Sequence, residues 1–130
     1  MDSRFVLIIA NFRSDKLNDV EKRLEKLGVE RINVSRVRGF GEYHNYFAPN
    51  WLDYEMRLEI FTKRAEAELI AQAIMEAAHT GIAGDGVVAV LPIDTLYLIR
   101  TRSEATPETF WPTGAKDSID QPASTSAALK

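Results

Sequence analysis

The sequence predicts an α+β fold in which a four-stranded antiparallel sheet carries two helices on one face. Two helical segments with one apolar stripe each alternate with four short apolar segments that are typical of strands. Their order is strand–helix–strand, a long loop, and strand–helix–strand again. With 130 residues, 45% of them hydrophobic and 27% charged, the chain has room for one ordinary globular domain with a modest core.

The first half of the chain supplies the first strand–helix–strand unit. Its first strand is predicted at residues 5–9, an unbroken β-branched and aromatic segment that is typical of a strand covered on both faces. Ser14 is expected to cap the first helix and Gly28 to close it at the C′ position. Residues 32–38 are predicted to form the second strand. The apolar face of the helix consists of residues spaced three or four apart: Leu17, Val20, Leu24 and Leu27.

The second half repeats this order. The alternation in residues 57–61 predicts a half-buried strand, and a helix is expected over residues 64–78. The fourth strand is predicted at residues 87–91, Pro92 is expected to mark its departure from the sheet, and residues 96–100 can form a short extra strand. The predicted apolar stripe of the helix is Leu69, Ile70, Ala73, Ile74 and Ala77. This order predicts the ferredoxin-like βαββαβ arrangement.

The apolar first and fourth strands predict that the second face of the sheet is also covered, and a homo-oligomer that packs its sheets together would cover it. We expect one domain over residues 1–102. Residues 103–130 are rich in Pro, Ser, Thr and Ala and are predicted to be a tail with one anchor point, Phe110-Trp111-Pro112.

Composition excludes several classes of function. A net charge of −3 argues against a nucleic-acid-binding protein, and the lack of cysteine excludes disulfides and thiolate metal sites. With two histidines, of which His79 is expected to cap or pack at a helix end, a dedicated transition-metal site is not expected. The apolar N-terminal segment is too short to span a membrane and lacks a signal-peptide pattern, so a cytoplasmic location is the default.

A glycine-rich loop at residues 80–87 is the most informative local feature. Three glycines within six positions allow positive φ angles, and backbone N–H groups clustered in this way can form a nest for phosphate or another small anion. The loop lacks the Gly-Lys-Ser/Thr ending of a P-loop and the glycine spacing of a dinucleotide-binding fold. A plain turn into a strand is the alternative interpretation.

In their order along the chain, several short segments resemble the PII signal-transduction family. The resemblance covers about residues 4–102 and implies a trimeric ferredoxin-like core that binds adenine nucleotides in clefts between subunits. The segments that carry it are Val37-Arg38-Gly39-Phe40-Gly41, Leu58-Glu59-Ile60, Ala78-His79-Thr80-Gly81, Gly84-Asp85-Gly86, Val90-Leu91-Pro92 and Ile99-Arg100-Thr101.

The resemblance also implies which residues bind the nucleotide. Those expected near the phosphates are Thr80, Gly84, Asp85, Gly86 and Arg100, and those expected near the adenine and ribose are Asn33, Gly39, Phe40, Gly41, Glu59 and Phe61. For three of them another role stays open. Asp85 could stabilise the turn through its own hydrogen bonds, Arg100 could be a solvated charge, and Phe61 could be a core residue.

Three departures from the family pattern bear on the ligand. Val87 and Ile82 stand where the family has lysines, and Leu98 stands where it has the first arginine of Arg-x-Arg. A hydrogen bond to a charged group contributes roughly 1.5–3 kcal/mol, so losing two would weaken triphosphate binding by about two to four orders of magnitude. We therefore expect ADP or AMP, rather than ATP, as the ligand.

The loop over residues 42–55 departs further. Tyr43 replaces the glutamine that the family uses to bind magnesium and 2-oxoglutarate, and the lysine before the third strand has no counterpart. Binding of magnesium and 2-oxoglutarate is therefore not assigned, and neither is uridylylation of a tyrosine. Five aromatic residues, which suit a partner interface or a cover for the lateral face of the trimer, lie here: Tyr43, Tyr46, Phe47, Trp51 and Tyr54. His44 is a weak metal or anion candidate.

The resemblance is greatest to the carboxysome-associated PII-like proteins, which would imply bicarbonate as a second effector. We expect a regulatory homotrimer that signals through residues 42–55 to an unidentified protein, with a membrane transporter or a carbon-metabolism protein as candidates. The alternative is a PII-like protein of transporters or metal tolerance that binds no nucleotide. An enzyme is not expected, because Asp85 has no evident partner for acid–base or nucleophilic chemistry.

Overall fold

The fold is seen in a computed structural model that describes residues 4–29, 31–39 and 53–110. Its two helices are α1 and α2, and its six strands are β1–β6. The elements, in chain order, are β1 (Phe5–Arg13), a 3₁₀ turn (Ser14–Lys16), α1 (Leu17–Lys26), β2 (Asn33–Gly39), β3 (Asp53–Lys63), α2 (Arg64–Ala78), β4 (Gly86–Ile93), β5 (Tyr97–Leu98) and β6 (Ser103–Glu104).

Strands β1–β4 form one antiparallel sheet in the order β2-β3-β1-β4. In its centre, Ile8 of β1 lies between Ile60 of β3 and Val90 of β4. β5 and β6 pair separately as a small hairpin. The predicted fold class, an antiparallel ferredoxin-like sheet with two helices, is confirmed.

Both helices pack on the same face of this sheet. Side chains alternate along β1, and every second one is fully or almost fully buried under α1 and α2. Burying a side chain such as Ile74 contributes about 1.5–3 kcal/mol, which makes this layer the main source of stability. The buried residues at its centre are Val6, Ile8, Ala10, Phe12, Val20, Leu24, Leu58, Ile60, Ile70 and Ile74.

The first helix begins later than the sequence predicts. Ser14 opens the 3₁₀ turn rather than capping α1, whose N-cap is Lys16 and has no capping hydrogen bond from a side chain. Gly28 has a φ of +85° just past the end of the helix, as its predicted C′ position requires.

The second half agrees with the prediction at α2 and differs in two details. Leu69, assigned to the apolar stripe, is 60% exposed, because it lies just outside the strip that α2 buries on the sheet. Pro92 does not mark the end of pairing: it lies opposite Val6 within β4, which continues to Ile93. An edge strand tolerates proline because its outer N–H groups need no partner in the sheet.

The described chain continues past residue 102 and packs on β1. Ala105 and Phe110 are buried against Phe5, and the Phe5 and Phe110 rings meet edge to face with centroids 5.6 Å apart. The Ala105 amide donates to the Leu96 carbonyl at 2.7 Å, which fixes the end of the hairpin. The predicted division at residue 102 stays a prediction, and Trp111 and Pro112 lie outside the described residues.

The sheet face away from the helices is called the open face here. By alternation it carries Leu7 and Ile9 of β1, Phe61 of β3 and Leu91 of β4. Phe61 and Leu91 are 38% and 40% exposed, and Ala105 and Phe110 cover the end of this face at Phe5. In the described residues, neither helix is long and apolar enough to cross a membrane.

Candidate functional site

The glycine loop connects α2 to β4 and has the conformation expected of it. Gly81, Gly84 and Gly86 all have positive φ angles, of 85°, 102° and 105°. At Gly86 the absence of a side chain is also a steric requirement, because a Cβ there would lie 1.9 Å from the Asn11 carbonyl oxygen of β1. This glycine therefore allows the loop to enter the sheet, whatever else it does.

Asp85 is the centre of the loop's hydrogen bonds. Its carboxylate accepts from the Thr80 amide at 2.9 Å, the Gly81 amide at 2.8 Å and the Thr80 hydroxyl. These bonds hold the pKa of Asp85 well below its ordinary value, the Thr80 hydroxyl having the largest effect. The turn-stabilising role that the sequence left open for Asp85 is thus present, and its contact with a nucleotide stays a prediction.

Several amides of the loop donate hydrogen bonds to acceptors within the loop itself. Besides the amides bound to Asp85, the Ile82 amide donates to the Thr80 hydroxyl oxygen at 3.1 Å. An anion held here would consequently need donors other than the N–H groups of Thr80, Gly81 and Ile82.

Arg13 is a residue that sequence reasoning missed. It ends β1, and its Nε donates to Asp85 at 3.2 Å, while its Nη2 donates to the carbonyls of Ala83 at 2.7 Å and Ile82 at 3.3 Å. Both partners of the ion pair are partly buried, with 24% and 26% of their side chains exposed. The feature that could have revealed its role is the sheet order, which places the end of β1 beside the start of β4.

A cleft of about 240 Å³ lies beside the loop. Its lining includes His79, Asp85, Val87 and Asn11. The Asn11 Oδ1 atom is buried and accepts no hydrogen bond from the described residues. His79 is the C-cap of α2, as expected for a helix end, but its side chain is 71% exposed and lies 3.9 Å from Asp85.

Three of the predicted base-side residues, Asn33, Glu59 and Phe61, lie on the open face. Asn33 of β2 is directly opposite Glu59 of β3, and Phe61 follows two residues later on the same face. A cleft of about 380 Å³ is lined here by Arg31, Ile32, Asn33, Phe61 and Phe110. Phe61 therefore lines an open cleft, although the sequence left a core role open for it.

The two groups of predicted site residues are far apart within one chain. Gly86 pairs with Phe12, whereas Phe61 pairs with Leu7, and five residues of β1 span about 16 Å. Asn33 and Glu59 lie level with Ile9 at the middle of β1, and Phe61 lies further toward the other end. Gly39, expected on the base side, pairs with Asp53 and lies at the loop end. Within one chain, Asp85 and Gly86 line one cleft and Asn33 and Phe61 line another.

Arg100 lies on the base side. It is exposed in the β5–β6 turn, two residues after Leu98, which packs on the Phe5 cluster. Within the described part of the chain, its side chain makes no hydrogen bond or ion pair. Phe40 and Gly41, like His44 and the loop aromatics before Tyr54, lie outside the described residues.

Tyr54 is the loop aromatic that the structure describes. The Arg36 and Arg38 guanidinium carbons lie 4.7 Å and 5.7 Å from its ring centroid, in cation–π contact. Tyr54 is 47% exposed, so the base of the loop presents a basic and aromatic surface. Among residues 4–29, 31–39 and 53–110, no group of three or more His, Cys, Asp or Glu side chains could hold a metal ion.

The sheet order and the placement of both helices define the ferredoxin-like class of α+β proteins. Within that class, the family model described as nitrogen regulatory protein P-II matches residues 5–103, and this chain belongs to the P-II family. The resemblance found in the sequence is confirmed at this level.

Comparisons with individual relatives support the same family assignment. The chain is 33% identical to the P-II homolog of Arabidopsis thaliana; the match covers 77% of this chain and 55% of the homolog. It is 32% identical to GlnK2 of Haloferax mediterranei; that match covers 77% of this chain and 87% of GlnK2. A crystal structure of Arabidopsis thaliana PII bound to citrate superimposes with a TM-score of 0.68 at 33% identity, covering 80% of this chain and 91% of that one. P-II family proteins are regulatory signal transducers that form homotrimers, which is consistent with the predicted trimer.

Proposed function

We propose that this chain is a PII-like regulator that binds ADP or AMP, in preference to ATP, in clefts between the subunits of a homotrimer. The observation that carries the proposal is that the cleft beside the glycine loop, lined by Asp85 and Gly86, is separate within one chain from the cleft lined by Asn33 and Phe61. Such a division suits a cleft to which one subunit contributes the glycine loop and its neighbour contributes Asn33, Glu59, Phe61 and Arg100. The cytoplasmic location expected from the sequence stays part of this proposal.

The preference for fewer phosphates is supported by the side chains around the loop. Val87 and Ile82, which replace cationic residues of the family pattern, are 66% and 61% exposed and offer a phosphate no charge. Leu98, the third replacement, packs on the Phe5 cluster. Arg13, a cation in contact with the loop, is already bound to Asp85 and to two carbonyls.

The signalling part of the proposal concerns residues 42–55. The surface of Arg36, Arg38 and Tyr54 at the base of this loop supports a role in binding a protein partner, since arginine and tyrosine are enriched at interface hot spots. A membrane transporter and a carbon-metabolism protein are the proposed partner classes. Bicarbonate is the proposed second effector, on the resemblance to the carboxysome-associated subgroup.

A second candidate function is a PII-like protein of transporters or metal tolerance that binds no nucleotide. The internal hydrogen bonds of the Thr80, Gly81 and Ile82 amides favour it, because they remove three donors from a phosphate site. The two candidates differ in one measurable property, which is nucleotide affinity.

Titration calorimetry with AMP, ADP and ATP tests the proposal on the full chain and on Val87→Lys. We expect ATP to bind most weakly to the wild type, and Val87→Lys to gain ATP affinity by roughly 10- to 150-fold, the value of one charged hydrogen bond. Val87→Gln is the matched control, of similar reach without charge, and should gain little. Tighter binding of ATP than of AMP and ADP by the wild type contradicts the preference, and no binding at all favours the second candidate.

The bicarbonate part has its own test. If bicarbonate and nucleotide share one regulatory equilibrium, each must strengthen the other's binding by the same factor. Calorimetric titration of ADP at several bicarbonate concentrations, and the reverse titration, measures that factor. Independent binding of the two ligands would remove bicarbonate from the proposal.

A further inference from the structure

Phe110 lies beyond the part of the chain that the P-II family model matches, which ends at residue 103. Nevertheless it is folded against the sheet. Phe110 as a residue is 8% exposed, and its ring meets Phe5 edge to face, with an angle of 87° between the ring planes. It also lines the open-face cleft together with Asn33 and Phe61, two residues predicted to lie near the adenine.

The backbone around Phe110 is held by a compact turn. The Phe110 amide donates to the Thr106 carbonyl at 3.1 Å, and the Thr109 amide donates to the same oxygen at 2.9 Å. The Thr109 hydroxyl oxygen in turn accepts from the Thr106 amide at 2.9 Å. An aromatic ring fixed in this way loses little conformational entropy when a ligand packs on it.

The cleft has the composition of a site for a flat aromatic group. Its volume of about 380 Å³ remains with the Phe110 ring in place and lies within the usual range for small-ligand pockets. Phe61 and Phe110 supply aromatic walls, the Asn33 amide can both donate and accept, and Arg31 adds a cation at the edge.

We infer that Phe110 is a base-contacting residue, which packs on the purine ring of a nucleotide bound between itself and Phe61. The inference rests on the proposed function, since it assigns a further residue to the same nucleotide site. It gives this chain a base subsite built partly from its C-terminal segment, outside the region that it shares with the family model.

The test compares the full-length wild type with Phe110→Leu and Phe110→Tyr, each titrated with AMP and with ribose 5-phosphate, which lacks the base. Phe110→Leu removes the stacking of the base on an aromatic ring. We therefore expect its AMP affinity to fall by roughly 5- to 150-fold. Phe110→Tyr, which keeps the ring, should retain AMP binding. Ribose 5-phosphate binding should be equal in all three proteins, because it has no base to stack.

The outcomes separate this inference from the proposed function. A wild type that binds neither AMP nor ADP overturns the proposed function and, with it, this assignment. A wild type that binds AMP while Phe110→Leu binds it equally well overturns the assignment and leaves the proposed function intact. Equal loss of AMP and ribose 5-phosphate by Phe110→Leu also overturns the assignment, because it indicates a general structural role for the ring.

Discussion

Arg13 Nε lies 3.2 Å from Asp85 Oδ1, which connects the end of the first strand to the glycine loop across 72 positions of sequence. Through the same carboxylate, Asp85 holds the Thr80 and Gly81 amides, so one side chain determines the shape of the loop's first half. The loop is thus fixed to the sheet by contacts within the chain, which is the preorganisation that the proposed ligand binding would need.

Removing the Asp85 charge should loosen the loop. In Asp85→Asn the Arg13 ion pair is lost and one accepting oxygen becomes a donor, so we expect faster hydrogen exchange at the Thr80 and Gly81 amides. Glu76→Gln, which removes a more exposed ion pair with Arg23 between the helices, is the control and should leave those amides unchanged. Equal protection of the loop amides in Asp85→Asn and the wild type would contradict this prediction.

Stability at low pH should depend on the same residue. The folded-state pKa of Asp85 lies below the ordinary aspartate value of about 3.9, so its contribution is fully present above that value and is lost as pH falls toward the folded pKa. The difference in unfolding free energy between the wild type and Asp85→Asn should therefore be constant from pH 7 to about 5 and shrink below about pH 4. Denaturant unfolding across this range measures it, and a difference that stays constant down to pH 2 would disprove the assignment.

Two glycines of the loop should differ in their tolerance of alanine. At Gly86 a Cβ would overlap the Asn11 carbonyl at 1.9 Å, so Gly86→Ala is expected to destabilise by about 3 kcal/mol or more through the displaced strand. At Gly81 the nearest atoms are 3.7 Å away in the His79 ring, and Gly81→Ala should cost only the roughly 1–2 kcal/mol of a positive φ. Thermal and denaturant unfolding measure the loss of stability in each variant. Equal losses in the two variants would contradict the importance of the close approach at Gly86.

The open face should be the assembly surface. Leu91 lies on it opposite Leu7 and is 40% exposed, so a charge at this position would be buried in a trimer that packs its sheets together. We expect a mass of three times 14.6 kDa for the wild type in sedimentation and a smaller mass for Leu91→Glu. Leu69→Glu, on the exposed side of α2, is the control that should remain a trimer; dissociation of both variants, or of neither, would contradict this location.

Periodicity predicted the elements well where one face of a segment is buried. The bounds of α2 at residues 64–78 and the closing position of Gly28 follow from local spacing and backbone conformation. Leu69 was assigned wrongly because spacing defines a stripe but not the width of surface that the sheet covers. Pro92 was misjudged because its tolerance depends on β4 being an edge strand, which is a property of the sheet order.

The conformation of the glycine loop was predictable from its residues, but its contacts were not. The positive φ angles of the loop glycines follow from their residue type. Arg13 could not be linked to Asp85 from local sequence, since the contact depends on the pairing of β1 with β4. The position of Phe110 beside Phe61 likewise depends on the chain folding back over the open face after β6.

The crowding at Gly86 and the hydrogen bonds of Asp85 leave the loop with only a few positions that natural variation or engineering can alter without cost. Gly86 has no space for a side chain, and Asp85 is required to shape the turn. Val87 and Ile82, by contrast, are exposed, so a charged side chain at either position would change the charge of the loop surface without disturbing the frame. The loop therefore combines a frame that tolerates little change with exposed positions, such as Ile82 and Val87, where substitution should cost little stability.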